Sequence, residues 1–155
     1  VEAIRSAGLA AVGLKWPNDV LVAGKKLAGV LCEVHPNGGV IVGVGLNLRF
    51  LTKPPSENAA ALSEFLEVGD GVIDVIVAGF IDLLRTSQTW ERSDAHTFVS
   101  ERLLTLNRAV DVVPVTGELW RGVARGVNRN GHLIVRNTQG VDVEVMAADV
   151  HHLYQ

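Results

Sequence analysis

Between two apolar runs the chain carries Lys15-Trp16-Pro17-Asn18-Asp19, and what this string permits constrains the structure on either side of it. Pro17 has no N–H to give to a β-ladder and pushes Trp16 into an extended conformation, so a strand over residues 11 to 16 must break or turn there. Asn18 and Asp19 suit the turn, because short polar side chains bond readily to nearby backbone. The apolar pattern resumes at 20 to 23, reverses at Ala23-Gly24-Lys25 and returns as a strand over 26 to 35. A hairpin of this kind gathers a carboxylate, an amide and an ammonium near one strand end.

Pro36-Asn37-Gly38-Gly39 is a second turn signal and predicts a further strand over 40 to 48, so that the middle strands form an antiparallel meander. Side chains alternate along a strand. Val40, Val42, Val44, Leu46 and Leu48 therefore share one face, which calls for cover by helices, while Ile41, Gly43, Gly45 and Asn47 share the other. Glycines on one face admit the close approach of a ligand, or else mark a bulge or a tightly crossing helix. Gly29, on the neighbouring strand, extends the same bare floor. Asn47 at its edge either bonds a ligand ring or caps a turn.

Elsewhere the pattern is helical and then changes. Residues 1 to 8 read as the end of an amphipathic helix with no capping residue before it, which suggests the C-terminal part of a longer protein. A loop at 49 to 58 containing Pro54-Pro55 leads to a short helix at 59 to 67. A long helix follows Gly69-Asp70, with Val72, Ile73, Ile76, Val77, Phe80, Ile81 and Leu84 on its packing face. Another helix is predicted over 89 to 103, with His96 on its surface. From 106 onward, short strands at 109–115, 118–127, 132–136 and 141–146, closed by 149–154, alternate with Gly-containing turns and read as a small antiparallel barrel. The fold class is α+β, divided at residues 1–104 and 105–155.

With 48% apolar and 20% charged side chains and a net charge of −3, the chain can bury a core and offers no basic run for DNA. No apolar run is long enough to span a bilayer. The single cysteine, Cys32, lies in an apolar strand, reads as a small buried hydrophobe and fits a reducing cytoplasm. His151 and His152 are adjacent, so in a strand they point oppositely and do not form a metal site.

Taken in order, Lys15-Trp16-Pro17-Asn18-Asp19, then Lys26-Leu27-Ala28-Gly29-Val30-Leu31-Cys32-Glu33, then Gly43-Val44-Gly45-Leu46-Asn47 closely resemble the catalytic core of biotin protein ligases, in the biotin/lipoate ligase superfamily. The resemblance implies a mixed sheet with helices, like that of class II aminoacyl-tRNA synthetases, followed by an SH3-like barrel. It implies a cytoplasmic, ATP- and Mg²⁺-dependent ligase that forms biotinyl-adenylate and transfers biotin to a lysine of a carboxylase's carrier domain. In such an enzyme Lys26 holds the biotin carboxyl and the adenylate, and acts with Asp19 as a catalytic residue. Asp19 and Asn18 would meet metal and phosphate, and Lys15 phosphate. Gly29, Gly43 and Gly45 would floor the pocket, Trp16 wall it, and Asn47 approach the adenosine. Lys25 is the alternative lysine, disfavoured by family spacing. The family's Gly-Arg-Gly-Arg type loop is not among these residues, so the chain by itself is expected to be inactive and the whole protein active. Two other readings stand beside this one: a lipoate ligase, and a non-catalytic ligand-binding or dimerisation module that forms a homodimer through an exposed strand edge.

Overall fold

The structure, a computed structural model, describes residues 1–153; Tyr154, which the sequence assigns to the closing strand, lies outside the described residues. Among the described residues three α-helices and nine strands follow in order: α1 (Glu2–Ser6), β1 (Val12–Lys15), β2 (Asp19–Val22), β3 (Lys25–Val34), β4 (Val40–Leu46), α2 (Asp70–Ser87), α3 (Arg92–Ser100), β5 (Ala109–Pro114), β6 (Trp120–Val127), β7 (Leu133–Asn137), β8 (Asp142–Val145) and β9 (Ala148–His152). Mixed helix and antiparallel sheet make this an α+β chain. Its backbone packs as two compact units, one formed by Val1–Gly13 with Asn18–Gln88, the other by Leu14–Pro17 with the chain from Thr89 onward.

Strands β1 to β4 form a sheet in sequence order, with the β2–β3 and β3–β4 pairs antiparallel. The β3–β4 turn closes because Gly38 takes φ +85° and the Asn37 carboxamide oxygen accepts the Gly39 N–H at 3.0 Å. Leu27 and Leu62 are fully buried, each contributing about 2 kcal/mol of transfer free energy. The short helix α1 packs on α2 where Gly79 leaves room; a Cβ there would lie 3.3 Å from Ala3 Cα.

Several expectations for the first unit fail, for identifiable reasons. The face of Val40 and Val44 is not covered by helices: these side chains are 61% and 47% exposed. Strand β2 pairs with β3 only as far as Gly29, so the outer half of β3 continues with β4 alone as a two-stranded ribbon. Cys32 rides on that ribbon and is exposed, not buried. Alternation fixes which residues share a face; it does not supply a neighbour to cover them. On α2, Ile76 is buried, whereas Val77, Ile81 and Leu84, assigned to the same packing face, stay largely open. The helix expected at 59 to 67 shrinks to a single 3₁₀ turn at Leu62–Glu64, because the Ala60 N–H is spent on the Lys26 carbonyl of β3 and the Ala61 N–H on the Glu64 carboxylate.

The second unit is an antiparallel sheet in the order β8-β7-β6-β5-β9. Its core gathers Trp16, Leu103, Val110, Val112, Val127, Leu133, Val135 and Val150. Gly131, at φ +82°, makes the β6–β7 hairpin turn, with the Asn128 carboxamide oxygen accepting from both Asn130 and His132 N–H. His96 on α3 is half-buried, not a surface group, and its Nε2 lies 2.8 Å from the Val127 carbonyl.

Candidate functional site

Across the first sheet, Asp19 stands opposite Gly29 and Gly29 opposite Gly45, so one carboxylate and two glycines form a lateral row on one face. Strict alternation would put Lys26 on the other face, with Ala28 and Val30. A β-bulge prevents this. The register shifts between Val20 and Leu21, with Val20 opposite Ala28 and Leu21 opposite Lys26, so Leu27 is the extra residue. Leu21 shares a face with Asp19, and its partner Lys26 is thereby turned onto the glycine face. The result is an ion pair of Lys26 Nζ with Asp19 Oδ1 at 2.5 Å, in which the carboxylate is nearly buried and the lysine half exposed. Lys25 opposes Val22, on the other face.

The floor beside this pair is open. A Cβ at Gly29 would come to 3.5 Å from both Cε and Nζ of Lys26 and 3.7 Å from Asp19 Oδ1. At Gly43 it would meet only the Leu31 carbonyl, at 3.8 Å, and at Gly45 nothing within 4 Å. No helix of the described residues fills the glycines. An ammonium held by a buried carboxylate, with half its surface open above bare backbone, can receive an anionic group of a flat ligand.

The backbone of Lys26 is gripped from the opposite side. Its N–H donates to the Asn58 carbonyl at 2.7 Å, and its carbonyl accepts the Ala60 N–H at 2.9 Å. The Asn47 carboxamide nitrogen donates to Lys26 O at 3.3 Å and to Ala60 O at 3.0 Å, while Leu62 N–H donates to Asn47 O. Ala59, Ala60 and Ala61 are buried, which only small side chains allow so close to a neighbouring strand. Asn18 is exposed in the turn, and its carbonyl accepts the Val30 N–H at 2.9 Å.

Lys15 and Trp16 pack with the second unit. Trp16 is 6% exposed in that unit's core, its indole Nε1–H donating to Gly131 O at 2.8 Å. Its backbone N–H donates to Thr105 Oγ1 at 3.1 Å, and the same hydroxyl is hydrogen-bonded to His152 Nε2 at 3.0 Å. Burial first, then the positive charges of Lys15 and Arg108, push the His152 pKa down to about 4, so the ring is neutral near neutral pH. Thr105, wholly buried, escaped notice in the sequence because it stands in the apolar string Leu103-Leu104-Thr105-Leu106.

A divalent cation held by the chain alone does not fit the turn. Asp19 Oδ1 is bonded to Lys26 Nζ, and no group of three His, Cys, Asp or Glu side chains converges among the described residues.

Comparison with known proteins adds a family. Residues 2–49 match the Biotin/lipoate A/B protein ligase family. The chain is 34% identical over 149 residues to a biotin–[acetyl-CoA-carboxylase] ligase of Mycobacterium tuberculosis, covering 93% of this chain and 54% of that protein. To the biotin–[acetyl-CoA-carboxylase] ligase of Paracoccus denitrificans it is 32% identical over 152 residues, covering 91% of this chain and 63% of that one. The chain thus spans somewhat over half the length of these curated relatives. Its fold matches the apo biotin protein ligase of Aquifex aeolicus with a TM-score of 0.82 at 21% identity, over 98% of this chain and 70% of that one.

Proposed function

We propose, for a chain that belongs to the biotin/lipoate ligase superfamily, that the Lys26–Asp19 pair and the glycine floor beside it hold biotinyl-adenylate, as part of an ATP-dependent biotin protein ligase. The reaction joins a biotin carboxylate oxygen to the α-phosphorus of ATP and expels pyrophosphate. A lysine amine of a carboxylase's carrier domain then attacks the acyl carbon, and AMP leaves. Both steps build negative charge on oxygens next to the acyl group, where a fixed cation counts most. Lys26 supplies that cation; Asp19 aims it.

The single observation that carries this reading is the re-phased Lys26, paired to a buried carboxylate and lying over Gly29, beside Gly43 and Gly45, which no side chain of the described residues fills. Gly29, Gly43 and Gly45 let the adenylate lie against backbone. Asn18, exposed in the turn that leads into Asp19, shapes the entrance for the triphosphate in this reading, whereas Trp16 is taken up by the core of the second unit and does not wall the pocket. Where the reaction uses Mg²⁺, the ion would be held chiefly by the nucleotide phosphates and would offset their charge. The Gly-Arg-Gly-Arg type loop is absent from these 155 residues, so we assign turnover to the whole protein and adenylate binding to this chain.

The test is transfer of labelled biotin to a purified carrier domain by the intact protein. Lys26→Ala should abolish transfer and Lys25→Ala should leave it. Unchanged transfer by Lys26→Ala removes Lys26 from the mechanism. The exposed apolar side chains Val40, Ile41 and Val44 on edge strand β4 favour a second reading, a pairing module. Such a module would self-associate and give no heat with biotinyl-adenylate.

A further inference from the structure

We propose that the groove between α3 and the β6–β7 hairpin of the second unit is a docking site for an acidic segment of a protein partner, held by Arg92 and Arg129 over apolar walls. The inference goes beyond the ligase reading and does not depend on it.

The groove exists because one hydrogen bond sets its depth. His96 on α3 is half-buried, and its Nε2–H donates to the Val127 carbonyl at 2.8 Å, which ties the helix to the last residue of β6. Past Val127 the chain turns away through the hairpin, and a cavity of about 400 Å³ is left between hairpin and helix. Ala95, Val99 and Val127 give it apolar walls, while the exposed side chains of Arg92, Arg129 and Asn130 supply its polar rim. Arg92 reaches the hairpin, its Nη1 donating to Asn130 Oδ1 at 3.3 Å.

The positive charge of this rim is not matched within the groove. Elsewhere in the same unit guanidinium groups take forked carboxylate partners: Arg121 bonds Asp111 at 2.7 and 3.2 Å, and Arg136 bonds Asp142 twice at 2.8 Å. Among the described residues no carboxylate is paired with Arg92 or Arg129, and none lines the cavity. Glu91 and Asp94, the acids beside Arg92, close the α3 capping box instead, with Asp94 Oδ2 accepting the Glu91 N–H at 3.0 Å.

Which anion fits follows from the donors that remain. Guanidinium forks suit phosphate as well as carboxylate, so the rest of the groove decides. A phosphate site draws on a nest of open backbone N–H groups. Here the N–H groups of Asn130 and His132 donate to Asn128 Oδ1 and that of Gly131 to the Asn128 carbonyl, so the turn is closed on itself. The Asn128 carboxamide nitrogen is also spent, on Glu144 Oε1 at 2.6 Å. An inorganic ion would leave the aliphatic walls empty. Acidic side chains interleaved with aliphatic ones use both the forks and the walls.

The experiment titrates the isotope-labelled protein with a capped peptide of alternating glutamate and leucine, with the same peptide carrying glutamine for glutamate, and with inorganic phosphate, following amide shifts by NMR. The acidic peptide should give saturable shifts at Arg92, Ala95, Asn130 and Gly131, and the glutamine peptide and phosphate should not. Arg92→Gln and Arg129→Gln should each weaken the acidic peptide by about fivefold, the upper weight of an exposed ion pair. Arg129 has no side-chain partner among the described residues, so Arg129→Gln reads docking without disturbing the fold. Arg125→Gln removes an exposed β6 arginine outside the groove and should leave affinity within about twofold. Absence of saturable shifts with the acidic peptide would overturn the proposal. So would an equal loss from Arg125→Gln, which would reduce the effect to net charge, or phosphate saturating the same amides at lower concentration than the peptide.

Discussion

Gly45→Val should make the protein more stable and its site useless, and both halves can be worked from the structure. Gly45 lies within β4, exposed, and a Cβ there meets nothing within 4 Å. Glycine in a strand costs about 0.5–1 kcal/mol relative to alanine through lost backbone entropy, and a β-branched side chain suits a strand better still. With no clash to offset the gain, the variant should be stabilised by about 1 kcal/mol. A bound adenylate, however, would lose its floor. If about 100 Å² of apolar ligand surface rests there, lifting it forfeits about 2.5 kcal/mol, close to a hundredfold in affinity. Urea unfolding reads the first quantity as a raised midpoint at constant slope, and calorimetric titration with biotinyl-adenylate reads the second. Undiminished binding by Gly45→Val would show that the bare face is not the ligand's floor. A destabilised variant would show that some other part of the protein already occupies it.

Other expectations follow from the same geometry. Lys26→Ala leaves the nearly buried Asp19 carboxylate without its cation and should cost about 1–3 kcal/mol of stability by urea unfolding, whereas Lys25→Ala should cost almost nothing. His152 carries an ordinary value of 6.5 when unfolded and about 4 when folded, so between these limits the unfolded chain binds more protons. Stability should therefore be flat above about pH 6.5 and fall as pH drops toward 4. Because the ring is only half-buried, the loss is screened to about 1–2 kcal/mol. Urea midpoints at pH 7 and 4.5 should differ less in His152→Gln, and an identical pH slope in both proteins would remove His152 as the cause. Gly122→Ala would push its Cβ to 2.5 Å from Arg136 O and 2.6 Å from Val135 Cγ1, and should destabilise the second unit by about 2–4 kcal/mol, read from thermal unfolding.

The turns and periodicities of the sequence were enough to place nearly every strand and both long helices, because Pro17, Asn37-Gly38 and Asn130-Gly131 act locally. What escaped was set by partners far along the chain. Ala59-Ala60-Ala61 has high helix propensity, yet hydrogen bonds to Lys26 and from Leu62 to Asn47 hold it extended. Apolar strand residues such as Cys32 and Val40 read as buried, but burial depends on whether a neighbouring element reaches them. The bulge left one trace in the sequence. Leu27 and Ala28 are adjacent and both apolar, which breaks the alternation of a strand with one polar face. Resemblance to the ligases singled out Lys26 from its neighbour Lys25; the register gives the physical difference between them. Thr105 and His152, which hold Trp16, carry no local signal at all.

The central claim is that this re-aimed lysine, above open backbone, is what grips an acyl-adenylate. Isothermal titration of biotinyl-adenylate into wild type, Lys26→Ala and Lys25→Ala tests it most directly. Binding by wild type and Lys25→Ala, with none detectable for Lys26→Ala, is the outcome the geometry requires. Equal heats from all three proteins would contradict it.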